Sequence, residues 1–219
     1  MSEAQMVARL ERCGVVPVVE IEDAGKAVAL VDALAAGGID VVEITLRTAA
    51  GLDAIRAAAA ERPDVLVGAG TLLTPDALRE AVAAGAAFGV SPGSDPEIVA
   101  AAAESGLPYV PGVATASEVQ RAVRGGATML KFFPAKAAGG LPVLKALHAP
   151  FRSAGLRFMP TGGIAEADLP EWLAVPAVVA VGGSWLTPAA DLAAGNWDAI
   201  RERAAQARRA VDAVRGVPA

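Results

Sequence analysis

Apolar and polar positions along this chain recur in blocks. An Ala-rich stretch with helical spacing gives way to a stop of small residues containing Gly, and a short apolar run follows. The blocks read LVDALAAGGIDVVEI (30–44), LREAVAAGAAFGV (78–90), AAAESGLPYV (101–110), VQRAVRGGATMLKFF (119–133) and FRSAGLRFMP (151–160). A glycine near a helix C-terminus takes the left-handed conformation that ends the helix. The apolar run after it, rich in Val, Ile and Phe, fits a strand buried on both faces. Helix starts are marked too. Thr74 before Pro75 and Asp95 before Pro96 read as N-caps ahead of first-turn prolines, and Thr115 with Glu118 has capping-box spacing.

The apolar runs predict eight strands, near 15–20, 40–45, 64–69, 86–90, 107–110, 127–132, 157–160 and 177–182. Their spacing leaves room for one helix and two short loops per unit. Eight such units predict an α/β fold, a (β/α)8 TIM barrel forming one domain over residues 1–219, with a short amphipathic helix at the N-terminus. A doubly wound open sheet is the alternative, but no G-x-G-x-x-G follows the first strand. Trp172 to Ala190 carries no charge, yet Pro176, Gly182, Gly183, Ser184 and Pro188 interrupt it. It therefore reads as helix end, strand and turn rather than a membrane span. The charged N-terminus is no signal peptide, and a cytoplasmic protein without a membrane partner is expected.

Composition narrows the chemistry. One Cys and one His exclude a disulfide framework, a CxxC zinc site and three-His or HExxH metal sites, so no metal is expected. A net charge of −5 argues against a nucleic-acid partner. Among nineteen basic residues only four are lysines: Lys26, Lys131, Lys136 and Lys145. His148 reads as a surface residue and Cys13 as a small buried hydrophobe.

Two charges fall inside apolar strands. In VVEITLR (41–47) the two-residue period puts Val41, Glu43, Thr45 and Arg47 on one face, so Glu43 points into the barrel with Arg47 near its mouth. Burial disfavours the charged form of a carboxylate, which suits a general base; a structural Glu43–Arg47 ion pair is the alternative. In TMLKFFP (128–134), Met129, Lys131 and Phe133 share a face. A lysine in a dry apolar site offers its amine as a nucleophile toward carbonyls, and a salt bridge, with Glu43 among its possible partners, is the structural alternative. Glycine pairs end the last two predicted strands, in PTGGI (160–164) and VGGSW (181–185). Glycines there let backbone N–H groups approach an anion, and the loops after strands seven and eight of a barrel are a recurrent phosphate site. Thr71, at the end of GAGT (68–71), can present a hydroxyl to a carboxylate, while Pro92 shapes a loop.

EITLRT (43–48), GAGT (68–71), SPG (91–93), KFFPA (131–135), PTGGI (160–164) and GGSW (182–185) together resemble the bacterial 2-keto-3-deoxy-6-phosphogluconate (KDPG) aldolases and their 4-hydroxy-2-oxoglutarate relatives, from about Val15 to Trp197. The resemblance implies a homotrimeric (β/α)8 class I aldolase without metal or cofactor. It makes Lys131 the Schiff-base lysine and Glu43 the general acid/base. By the same resemblance Arg47 and Thr71 hold the pyruvate carboxylate. Gly162, Gly163, Gly183 and Ser184 form the phosphate site, and Pro92, Phe133 and Thr161 line the pocket. The implied reaction cleaves KDPG to pyruvate and glyceraldehyde 3-phosphate, a step of gluconate catabolism (the Entner–Doudoroff pathway). The alternatives are 4-hydroxy-2-oxoglutarate or the galactonate epimer as substrate and, more distantly, a non-catalytic phosphosugar-binding barrel. Two positions depart from or vary within the family pattern: Lys136 stands where relatives often carry an acid, and Glu20 ends the first strand.

Overall fold

The computed structural model describes residues 1–216. Helix α1 (Glu3–Cys13) is fastened at its start by a Ser2–Gln5 capping box and ends on Gly14 in the left-handed conformation. Strand β1 (Val15–Val19) follows, then α2 (Ala27–Ala36), β2 (Val41–Thr45), α3 (Gly51–Glu61), β3 (Leu66–Gly70), α4 (Pro75–Ala83), β4 (Phe88–Val90) and α5 (Pro96–Ser105). The chain continues through β5 (Tyr109–Val110), β6 (Gly112–Val113), α6 (Ala116–Arg124), β7 (Met129–Phe132), α7 (Gly140–His148) and β8 (Arg157–Pro160). It closes with α8 (Leu169–Leu173), β9 (Val181–Gly183), α9 (Ala189–Ala194) and α10 (Trp197–Arg215). The expected caps form: Thr74 accepts from Ala77 N–H, Asp95 from Glu97 and Ile98, and Thr115 and Glu118 make a reciprocal box.

The strands are parallel and make a curled half-barrel α/β fold. A six-stranded sheet runs β5-β4-β3-β2-β1-β9 and a three-stranded sheet runs β6-β7-β8. The two expected strands that depart from this pattern do so for a visible reason. The strand expected at 107–110 continues as β6 beyond Pro111, which has no N–H to donate to a ladder. There the chain leaves β4 and takes β7 as partner, Gly112 lying opposite Lys131. The strand expected at 177–182 begins later. Val178 makes only an isolated bridge to Phe158, and the chain then turns to β1, pairing Val181 with Val15. A second isolated bridge, Thr161 to Gly182, lies beside the last ladder.

The buried apolar side chains form one continuous cluster from Met6 to Val211, covered by the helices. Among the described residues no helix is long and apolar enough to cross a membrane. Cys13 is buried as expected, and its thiol donates to the Val15 carbonyl. His148 is half-buried rather than on the surface, its ring set edge-on against Phe158.

Candidate active site

Lys131 lies in the middle of β7, between the fully buried Leu130 and Phe132, with 5% of its surface exposed. Glu43 lies in the middle of β2 and is wholly buried. β2 and β7 belong to different sheets, and the two side chains meet across the interior: Lys131 Nζ donates to Glu43 Oε1 at 3.2 Å. The Glu43–Arg47 pair does not form. Two further contacts set the geometry of the pair. The Lys131 ammonium stands 5.3 Å from the centroid of the Phe133 ring, whose negative face favours a cation. Glu43 Oε1 occupies space that a side chain at position 70 would take, since a Cβ on Gly70 would come within 2.2 Å of it. The second oxygen, Oε2, has no hydrogen-bond partner among the described residues. A buried acceptor without a partner is costly, and a catalytic role is one explanation for such a group.

Above this pair a cavity of about 630 Å³ opens at the carboxyl ends of the strands. Thr45, Phe133 and Thr161 line it; Thr45 is two residues beyond Glu43, and Phe133 two beyond Lys131. Arg47, Glu20 and Glu22 also line it, as do Gly162, Gly163, Gly183 and Ser184. Seven of the eleven expected site residues therefore share one cavity. Lys131 and Glu43 lie beneath its lining. Thr71 and Pro92 are off its wall, at the ends of β3 and β4. Thr71 holds a left-handed φ of 60°, a strained place for a branched residue. Pro92 abuts β6 so closely that a Cβ on Gly112 would meet its carbonyl oxygen at 2.2 Å.

Glycine shapes the wall around residues 162–163 and 182–183. Gly162 and Gly163 take φ of 108° and 76° in succession, which other residues adopt only under strain. A Cβ on Gly182 would strike Thr161 Oγ1 at 2.2 Å, and one on Gly183 would enter the Trp185 ring. Arg47 has turned to Glu20, 3.3 Å away, both of them half exposed. Lys136 Nζ pairs with Asp168 Oδ2 at 2.6 Å. Little in the sequence marks Gly70, Thr45 or Asp168. Only the small-residue run GAG in an otherwise apolar strand hinted that something large leans over β3.

A family model described as "Aldolase: KDPG and KHG aldolase" matches residues 6–203. The chain is 47% identical over 193 residues to the 2-dehydro-3-deoxy-phosphogluconate aldolase of Pseudoalteromonas atlantica, covering 88% of this chain and 89% of that one. It is 46% identical to the KHG/KDPG aldolase of Escherichia coli K12, covering 88% and 90%. Among solved structures it resembles the KDPG aldolase of Legionella pneumophila, with pyruvate captured at low pH as a covalent carbinolamine. The TM-score is 0.87 at 42% identity, over 91% of this chain and 96% of that one.

Proposed function

The chain belongs to the KDPG and KHG aldolase family, and on that footing we propose that it is a class I aldolase that cleaves KDPG to pyruvate and D-glyceraldehyde 3-phosphate. The observation that carries the site assignment is the buried contact between Lys131 and Glu43, 3.2 Å long. A proton moved across it from Nζ to the carboxylate leaves a neutral amine beneath the cavity, which attacks the keto carbon. The carboxyl hands that proton to the departing hydroxyl of the carbinolamine, so water leaves, an iminium forms with Nζ as its nitrogen, and Glu43 is a carboxylate again. The C3–C4 bond then breaks as a base takes the C4 hydroxyl proton: the bonding electrons flow into the iminium, C4 becomes the aldehyde carbon, and an enamine remains. Glu43 is that base, and its unpartnered Oε2 is the free acceptor. Protonation of the enamine carbon and hydrolysis release pyruvate and restore the amine. Covalent catalysis thus divides one hard step into several easier ones.

Arg47 and Thr71 take the carboxylate end of the substrate, and Gly162, Gly163, Gly183 and Ser184 the phosphate, with Pro92, Phe133 and Thr161 shaping the space between. Residues 1–219 are read as one domain whose units close into a (β/α)8 barrel. The isolated bridges at Phe158 and Thr161, which carry the pairing on from β8 toward β9, support that closure. The homotrimeric, cytoplasmic form rests on the family resemblance. The family description and the E. coli relative's name also favour 4-hydroxy-2-oxoglutarate as a second substrate.

Steady-state cleavage assays test the proposal. Glu43→Gln keeps an acceptor beside Lys131 but loses the base, so kcat should fall about 10²- to 10⁴-fold; an unchanged kcat would remove Glu43 from the reaction. A charge-assisted hydrogen bond is worth about 1.5–3 kcal/mol. Removing the phosphate from the substrate should therefore cost at least about tenfold in kcat/KM, and equal values would speak against the glycine cradle.

A further inference from the structure

The loop 161–165 supplies five residues of the cavity lining, yet its two left-handed glycines make it intrinsically soft. Hydrogen bonds at both ends hold it. Ala135 N–H donates to the Thr161 carbonyl at 2.8 Å and Lys136 N–H to the Gly162 carbonyl at 3.1 Å. At the far end Ala165 N–H donates to Asp168 Oδ2 at 2.7 Å, and the same oxygen receives Lys136 Nζ at 2.6 Å. The Lys136 stem runs alongside the loop, its Cβ 3.2 Å from where a Gly163 Cβ would lie. One side chain thus runs from beside Gly163 to the carboxylate that fixes Ala165.

We infer that Lys136 and Asp168 form a charge-balanced strap for the phosphate-binding wall, in which Lys136 is a positioning residue that lets a carboxylate fasten the loop without repelling the phosphate. The inference rests on the aldolase reading for the identity of that anion. Asp168 fixes Ala165 of the cavity wall, and an uncompensated negative charge on a group bonded to that wall would repel an incoming dianion. Lys136 cancels that charge, and its ammonium, with the Ala165 N–H, holds the Asp168 carboxyl below the usual carboxylate range. This gives Lys136, a departure from the family pattern, a function beside the site rather than in the chemistry.

Inorganic phosphate is the probe, titrated against the full-length protein with the fluorescence of the cavity-lining Trp185 or by calorimetry. Lys136→Ala should weaken phosphate binding about three- to tenfold, while the pyruvate concentration needed for half-maximal borohydride trapping stays the same. Lys136→Arg should bind phosphate like the parent. The double variant Lys136→Ala with Asp168→Asn removes the uncompensated charge and keeps an oxygen for Ala165, so it should recover most of the affinity. Unchanged phosphate binding in Lys136→Ala, equal losses for phosphate and pyruvate, or a double variant no better than Lys136→Ala would overturn the strap. Phosphate binding is read without turnover, so failure of the aldolase reading would show separately, as a parent protein that forms no pyruvate adduct.

Discussion

Position 70 decides whether Glu43 can stand where it does. A methyl group there would lie 2.2 Å from Oε1, too close for the carboxylate to keep its bond to Lys131. Overpacking of this kind costs about 1–3 kcal/mol, and here it falls on the reacting groups. Gly70→Ala should therefore lose stability by that order in urea unfolding and lower kcat at least about tenfold; wild-type kcat would mean that Glu43 has room to move without consequence. At this scale the sequence is legible where a residue contradicts its surroundings. Glu43 and Lys131 stand out because charges are rarely buried without a partner. Gly70 does not stand out, because its function exists only once β2 and β3 pair and place Gly70 beside Thr45. Arg47 was readable as a mouth residue, but its turn toward Glu20 depends on two loops meeting and no local pattern announces it.

Among the elements, caps are the most local features and the most legible. Thr115 accepts from Glu118 N–H, while Glu118 accepts from Ala114 and Thr115, tying down the start of α6 away from the cavity. Those backbone hydrogen bonds, Ala114's first, hold the Glu118 carboxyl below its ordinary range. A lowered folded-state value means that the cap's contribution is complete above the unfolded carboxylate pKa and is lost as pH falls through the folded one. Thr115→Ala should cost about 1 kcal/mol of stability, seen as a lower urea midpoint, with kcat/KM unchanged. A matching loss of activity would place α6 in the catalytic apparatus. Strand limits were less legible for a physical reason. An apolar run shows that a segment is buried, but not which neighbour it hydrogen-bonds. The partner changes at Pro111 and after Val178 are set by the curl of the whole sheet.

At the scale of the whole molecule, the site exists because the curl brings two sheets face to face and lets Glu43 reach a lysine 88 residues away. The motifs named both partners, and alternation gave their inward faces; the distance between them is a property of the fold alone. The other three lysines are engaged elsewhere or exposed. Lys26 donates to the Ala193 carbonyl, Lys136 pairs with Asp168, and Lys145 lies on the surface of α7. That contrast makes the central claim testable across the chain at once. Incubation with pyruvate and borohydride, followed by peptide mapping by mass spectrometry, should find one reduced pyruvate adduct, on Lys131, and none on the Lys131→Met protein. No adduct on the parent protein, or one carried by Lys26, Lys136 or Lys145 instead, would contradict the account.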